Sequence, residues 1–210
     1  MMKLIAHRGF WRQPHEKNTP EAFHRALAAG YGIETDFRDL DGELVVSHDL
    51  PRRGAASAEA FFAGLRDHPE GVIAVNVKSD GLQALLAQAT RGVPRERLFV
   101  FDMSVPDTLR HFQLDLPVFV RASEYEQPHA TLLARAAGVW LDAFHAEWYG
   151  RETVDSYRRL GLKVCIVSPE LHGRPHEALW ARLKEWGLAA DAAIHLCTDF
   201  PDLAEAYFHG

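Results

Sequence analysis

Short apolar runs alternate with longer segments able to form helices along the whole chain, and this alternation restricts the fold more than any other feature. Strands are expected at 3–7, 32–37, 72–77, 97–101, 117–121, 138–142, 163–167 and 193–197. Helices are expected at 20–29, 57–66, 81–90, 105–112, 128–137, 150–160, 175–186 and 201–208. Regular alternation of this kind implies parallel strands joined by crossover helices, and eight such units close a barrel. Boundary chemistry agrees. Thr19-Pro20-Glu21 offers a cap, a proline at the first helical position and an early acid, and Gly30 supplies a stop.

The chain of 210 residues, 47% hydrophobic and 25% charged, is long enough to bury a large core as one domain spanning 1–210. No linker, repeat or low-complexity tract interrupts it. A net charge of −6 and a pI near 6.0 give no electrostatic basis for binding nucleic acid. No apolar run approaches the ~20 residues a membrane helix requires, and the N-terminus enters a strand at once with no apolar signal core. Cys165 and Cys197 both lie in apolar runs, where buried reduced thiols suit a cytoplasmic location.

Residues 5–49 carry the chemistry. His7 and His48 each end a short apolar run, and Ile33-Glu34-Thr35-Asp36-Phe37 lies between them. Strand alternation puts Glu34 and Asp36 on one face. Two carboxylates so placed repel unless a cation sits between them, and a hard divalent metal is the usual answer. Two histidines beside that metal would supply a proton acceptor and a proton donor. Arg8 follows His7 with a forked, permanently charged donor suited to phosphate. Metal, acid, base and anion clamp together describe phosphodiester chemistry.

The order of these residues resembles the glycerophosphodiester phosphodiesterase family: His7-Arg8-Gly9, Asn18-Thr19, Glu34-Thr35-Asp36, Asp41-Gly42 and His48-Asp49 fall in sequence within 45 residues. Asn76-Val77-Lys78 and Thr198-Asp199-Phe200-Pro201 fit as later pieces. The resemblance implies a (β/α)8 TIM-type barrel, in agreement with the count of units. It implies His7 and His48 as the acid–base pair, Arg8 and Lys78 as ligands of the phosphoryl oxygens, and one divalent metal ion, Mg²⁺ or Ca²⁺ (or Mn²⁺), on Glu34, Asp36 and Asn76. The substrate it implies is a small glycerophosphodiester-like molecule, cleaved to an alcohol and a phosphomonoester.

Two departures stand out. The family's usual glutamate is replaced by the neutral Asn76, which is expected to weaken the metal site, and Lys17 stands where a glutamate ordinarily precedes Asn-Thr. From His48 to Asn76 is 76 − 48 = 28 positions, too few for the family's usual insertion, so a more open pocket is expected. Polar residues recur at the later strand ends, and Arg121, Glu124, Asp142, Glu170 and His172 are candidate substrate contacts there. Two rival functions share these residues. One is a lyase-type phosphodiesterase that stops at a cyclic phosphate, as in phospholipase C or sphingomyelinase D relatives; the other is a non-catalytic module that binds a phosphorylated metabolite.

Overall fold

The computed structural model describes residues 1–65 and 68–210. Its elements run β1 (Lys3–His7), α1 (Pro20–Ala28), β2 (Gly32–Leu40), β3 (Glu43–Val46), α2 (Ala58–Gly64), β4 (Ile73–Val77), α3 (Gln83–Ala89), β5 (Leu98–Phe101) and α4 (Val105–Gln113). The series continues with β6 (Phe119–Ala122), α5 (Ala130–Leu133), β7 (Gly138–Leu141), α6 (Arg151–Arg159), β8 (Lys163–Val167), α7 (Glu177–Glu185), β9 (Ile194–Thr198) and α8 (Pro201–His209). Eight parallel strands each lead to a helix, which is the (β/α)8 TIM-type fold expected from the sequence. All eight expected helices form, although 128–137 holds only the single turn of α5. Residue 66, the end of the expected helix 57–66, lies outside the described residues.

The chain packs as two compact units, residues 6–118 and residues 1–5 with 119–210. In the first, β2 pairs in parallel with β4, and β4 with β5. The register sets Asp36 beside Asn76, so two of the expected metal ligands are strand neighbours. A ninth strand was not expected: β2 runs on to Leu40 and turns back antiparallel into β3. The turn is Asp41-Gly42, both at positive φ, the arrangement a two-residue hairpin needs. Behind the sheet, Phe61 packs against Phe23, Phe37 and Phe62 with ring centroids 4.9 to 5.7 Å apart. That aromatic knot fixes the back of β2 and so the direction in which its acidic face points. Thr19 and Ser57 cap α1 and α2 by accepting hydrogen bonds from Ala22 and Ala60.

In the second unit, β6, β7, β8 and β9 pair in parallel in chain order. Ile166, Leu179 and Leu183 are fully buried there, and the Trp180 indole N–H donates to Ser168 Oγ at 2.9 Å. Cys165 and Cys197 are both buried, as expected. Among the described residues, no helix is long and apolar enough to cross a membrane.

Candidate active site

The turn after β1 is where the site begins. Arg8 and Gly9 both take left-handed backbone, at φ 58° and 85°. A Cβ on Gly9 would lie 2.9 Å from the Ala22 carbonyl carbon, so only glycine lets this turn rest against α1. The Arg8 backbone N–H donates to the Glu34 carbonyl at 2.9 Å and reaches Glu34 Oε2 at 3.3 Å. His7, at the strand's end, holds Nε2 3.9 Å from Glu34 Oε2. The His-Arg-Gly turn is thereby stitched onto β2.

Glu34 and Asp36 are 1% and 0% exposed, the burial that makes their pairing costly. Asp36 receives the cations: Arg8 Nε and Lys78 Nζ each stand 3.2 Å from one of its oxygens. Asn18 donates to Asp36 Oδ2 at 2.8 Å. Burial opposes ionisation of Asp36, but Lys78 and Arg8, with the Asn18 bond and nearby His48, hold its carboxyl below the usual range. Glu34 goes the other way. Burial raises it most and the Asp36 charge raises it further, against the weaker pull of Lys78, Arg8 and the Asn76 amide. Burial and repulsion thus set Glu34 against ionisation, while the two cations favour the ionised form of Asp36.

His48 lies just past β3 and exposes 42% of its side chain. Its Nδ1 is 2.8 Å from Asp49 Oδ1, and Arg38 Nε donates to its carbonyl at 3.0 Å. Asp49 thus engages Nδ1 and leaves Nε2 as the ring nitrogen for proton transfer. His7, Arg8, Glu34, Asp36, His48, Asn76 and Lys78 all fall in the unit of residues 6–118.

Asn18 does more than open a helix. It sits at φ 61°, donates to Asp36, and accepts from Thr35 Oγ1 at 2.8 Å. Its backbone N–H donates to the Arg8 carbonyl at 2.9 Å. The signal was its place in the motif, since asparagine tolerates left-handed backbone better than most residues. Glu16 does not fill the position of the family's missing glutamate. It accepts from the backbone N–H groups of Arg12 and Gln13 at 2.7 and 3.2 Å and pairs with Arg25 at 2.8 Å.

The candidate substrate contacts of the second unit separate into two kinds. Arg121, Asp142 and His172 come together: Asp142, 3% exposed, takes Arg121 Nη1 at 2.9 Å and His172 Nε2 at 2.7 Å. Phe144 lies against both, 5.3 Å from the guanidinium and 4.8 Å from the imidazole. Glu124 is engaged with backbone, accepting from the N–H groups of Phe144, His145 and Ala146 at 3.0, 2.8 and 3.4 Å. Although burial works against it, the bonds from His145, Phe144 and Ala146 lower its pKa to about 2. Glu170 braces the end of β9 through Thr198 Oγ1 and the Asp199 N–H at 2.5 and 3.1 Å.

Among the described residues, no group of three or more His, Cys, Asp or Glu side chains is placed to hold a metal ion. Two carboxylates with an amide carbonyl are nevertheless a hard oxygen set suited to Mg²⁺ or Ca²⁺. Asn76 Nδ2 donates to Glu34 Oε1 at 3.2 Å, and Asn76 Oδ1 is buried without a hydrogen-bond partner. A buried carbonyl oxygen left so is stabilised by a cation. The residues present fit such an ion.

No family model matches the chain, and no curated protein matches it. Solved structures do. A glycerophosphodiester phosphodiesterase from Parabacteroides distasonis ATCC 8503 is 16% identical with a TM-score of 0.75, over 99% of this chain and 97% of its own. One from Agrobacterium tumefaciens str. C58 is 19% identical with a TM-score of 0.69, over 98% of this chain and 100% of its own. A Ca²⁺-dependent phosphatidylinositol-specific phospholipase C from Streptomyces antibioticus is 13% identical with a TM-score of 0.60, over 99% of this chain and 96% of its own. What the chain shares with these phosphodiesterases, at such identities, is the fold.

Proposed function

We propose that the protein is a phosphoric diester hydrolase that cleaves a small glycerophosphodiester-like substrate with the help of one divalent metal ion. The observation that carries this reading is the convergence of Arg8 and Lys78, each 3.2 Å from an oxygen of the buried Asp36, beside His7 and Glu34. Two cations over an acidic, hard-oxygen pocket suit a phosphodiester bound through its phosphoryl oxygens. The 1–210 chain is read as one domain acting in the cytoplasm on a soluble small molecule, without nucleic acid.

His7 and His48 divide the proton transfers. One takes the proton of the attacking hydroxyl, and the other protonates the departing alkoxide. This needs one imidazole neutral and the other protonated when the substrate binds. Arg8 and Lys78 hold the phosphoryl oxygens and stabilise the charge that builds on them. A divalent ion on Glu34, Asp36 and Asn76 would lower the pKa of the attacking hydroxyl. Where the substrate carries a hydroxyl adjacent to the phosphate, that hydroxyl attacks first and gives a cyclic phosphate, which water then opens; on a diester without one, water is the nucleophile and gives up its proton to the same histidine.

The test is hydrolysis of glycerophosphodiesters and a generic aryl diester by metal-stripped protein titrated with Mg²⁺, Ca²⁺ or Mn²⁺. Metal-dependent turnover that is lost in His7→Ala and in His48→Ala is expected. Turnover without added metal, or retained in both variants, would remove this reading. A cyclic phosphate that accumulates and is never opened would assign the lyase reaction instead.

A further inference from the structure

The interval between His48 and Asn76 is short, so another segment must shape the ground next to His7. The β1–α1 loop, residues 8–19, has the required construction. Both ends are tied to the site, because Asn18 donates to the Arg8 carbonyl and to Asp36. Its middle is locked by Glu16, which caps the Arg12 and Gln13 N–H groups and pairs with Arg25. Within this rigid frame the Trp11 indole N–H donates to the carbonyl oxygen of His7 at 3.1 Å. The Lys17 ammonium stands 4.3 Å from the centre of the same ring. The indole is therefore held beside a candidate catalytic histidine by its own N–H and a cation on its face, yet is only half-buried. A large, ordered aromatic surface left partly open at that position suits an apolar group brought in by the substrate.

Resting on the phosphodiester reading, we propose that Trp11 is a specificity-determining residue whose indole packs against an alcohol arm of the diester. The favoured substrates then carry a ring-bearing or otherwise apolar arm rather than a small polar one. The merely structural alternative is that Trp11 only steadies the His7 backbone through its N–H. Phenylalanine separates the two, since it keeps an aromatic surface and loses the donor.

The experiment compares kcat/KM for phenyl 4-nitrophenyl phosphate and methyl 4-nitrophenyl phosphate, each divided by its rate of alkaline hydrolysis. Wild type should favour the phenyl diester by about tenfold, the worth of one good aromatic contact. Trp11→Ala should bring the ratio close to one, mainly through KM, and Trp11→Phe should keep most of it. A wild-type ratio near one, a ratio unchanged in Trp11→Ala, or equal ratios in the two variants would overturn the proposal. Fluorescence titration with phenyl phosphate gives a readout free of turnover: quenching in wild type that is lost in Trp11→Phe is expected. If no diester is hydrolysed and that quenching is still seen, the phosphodiesterase reading falls and the Trp11 contact stands. If quenching is the same in both proteins, the Trp11 contact falls whatever the turnover.

Discussion

Asn76 gives its amide N–H to Glu34 at 3.2 Å and keeps its own carbonyl oxygen buried with no hydrogen-bond partner. A glutamate there would add a third carboxylate to the buried pair of Glu34 and Asp36. Without metal that charge is costly; with metal it is a stronger ligand. Asn76→Glu is expected to lower the Tm of metal-free protein and to tighten binding of Mg²⁺ or Ca²⁺ by about tenfold or more. Calorimetric titration with each ion and thermal melts in chelator and in metal would measure both. A variant that binds no tighter would remove Asn76 from the ligand set.

Asn18 joins two separable contributions, its left-handed backbone and its side-chain bonds to Asp36 and Thr35. Asn18→Gly keeps the backbone easy and removes the bonds, while Asn18→Ala removes the bonds and adds strain. Losing two partly buried hydrogen bonds should cost roughly 1–3 kcal/mol in the glycine variant, with a further ~1 kcal/mol in the alanine variant. Urea denaturation of the three proteins tests the ordering. Equal stability of Asn18→Gly and wild type would mean that the bonds to Asp36 and Thr35 contribute nothing net.

The period-2 pairing of Glu34 and Asp36 was legible because a strand's geometry is carried by adjacent letters. The same holds for the cap at Thr19 and for the alternation that sets the fold. Hairpin β3 has a turn signal in Asp41-Gly42, but its four residues, Glu43–Val46, carry too little alternation to stand out as a strand. Partnerships across many residues left no local trace. Glu124 reaches residues 144–146, Glu170 reaches Thr198, and Asp142 draws in both Arg121 and His172. Charges at strand ends look alike in sequence whether they face a ligand or hold loops together.

His195 gives a pH dependence of stability. It is 2% exposed and lies parallel to the Phe119 ring at 6.3 Å. Burial first, then the charge of Lys163, lowers its pKa from 6.5 to about 4. Between those values the unfolded chain binds a proton that the folded chain refuses, so stability falls as pH drops from 6.5 toward 4. From pH 7 to about 4.5 the loss from this group is roughly 2–3 kcal/mol. Urea midpoints at the two pH values should converge by that amount in His195→Phe relative to wild type. An identical pH slope in the two proteins would place the acid sensitivity elsewhere.

Phe61 is the ring through which α2 holds β2, because it meets Phe23, Phe37 and Phe62 at 4.9, 5.7 and 5.1 Å. Its neighbour Phe37 directly follows Asp36, so the knot braces the strand on the side away from the acidic face. Phe61→Ala opens a cavity and removes three edge-to-face contacts, at a cost of about 3–5 kcal/mol. Phe61→Leu keeps most of the volume and should cost less than half of that. If the knot serves only the fold, activity per folded molecule in Phe61→Leu stays near wild type while the Tm falls. If β2 shifts when the ring is lost, metal affinity falls together with the Tm, because Glu34 and Asp36 move with the strand. Metal titration of Phe61→Leu well below its Tm decides between a brace for the fold and a brace for the acidic pair.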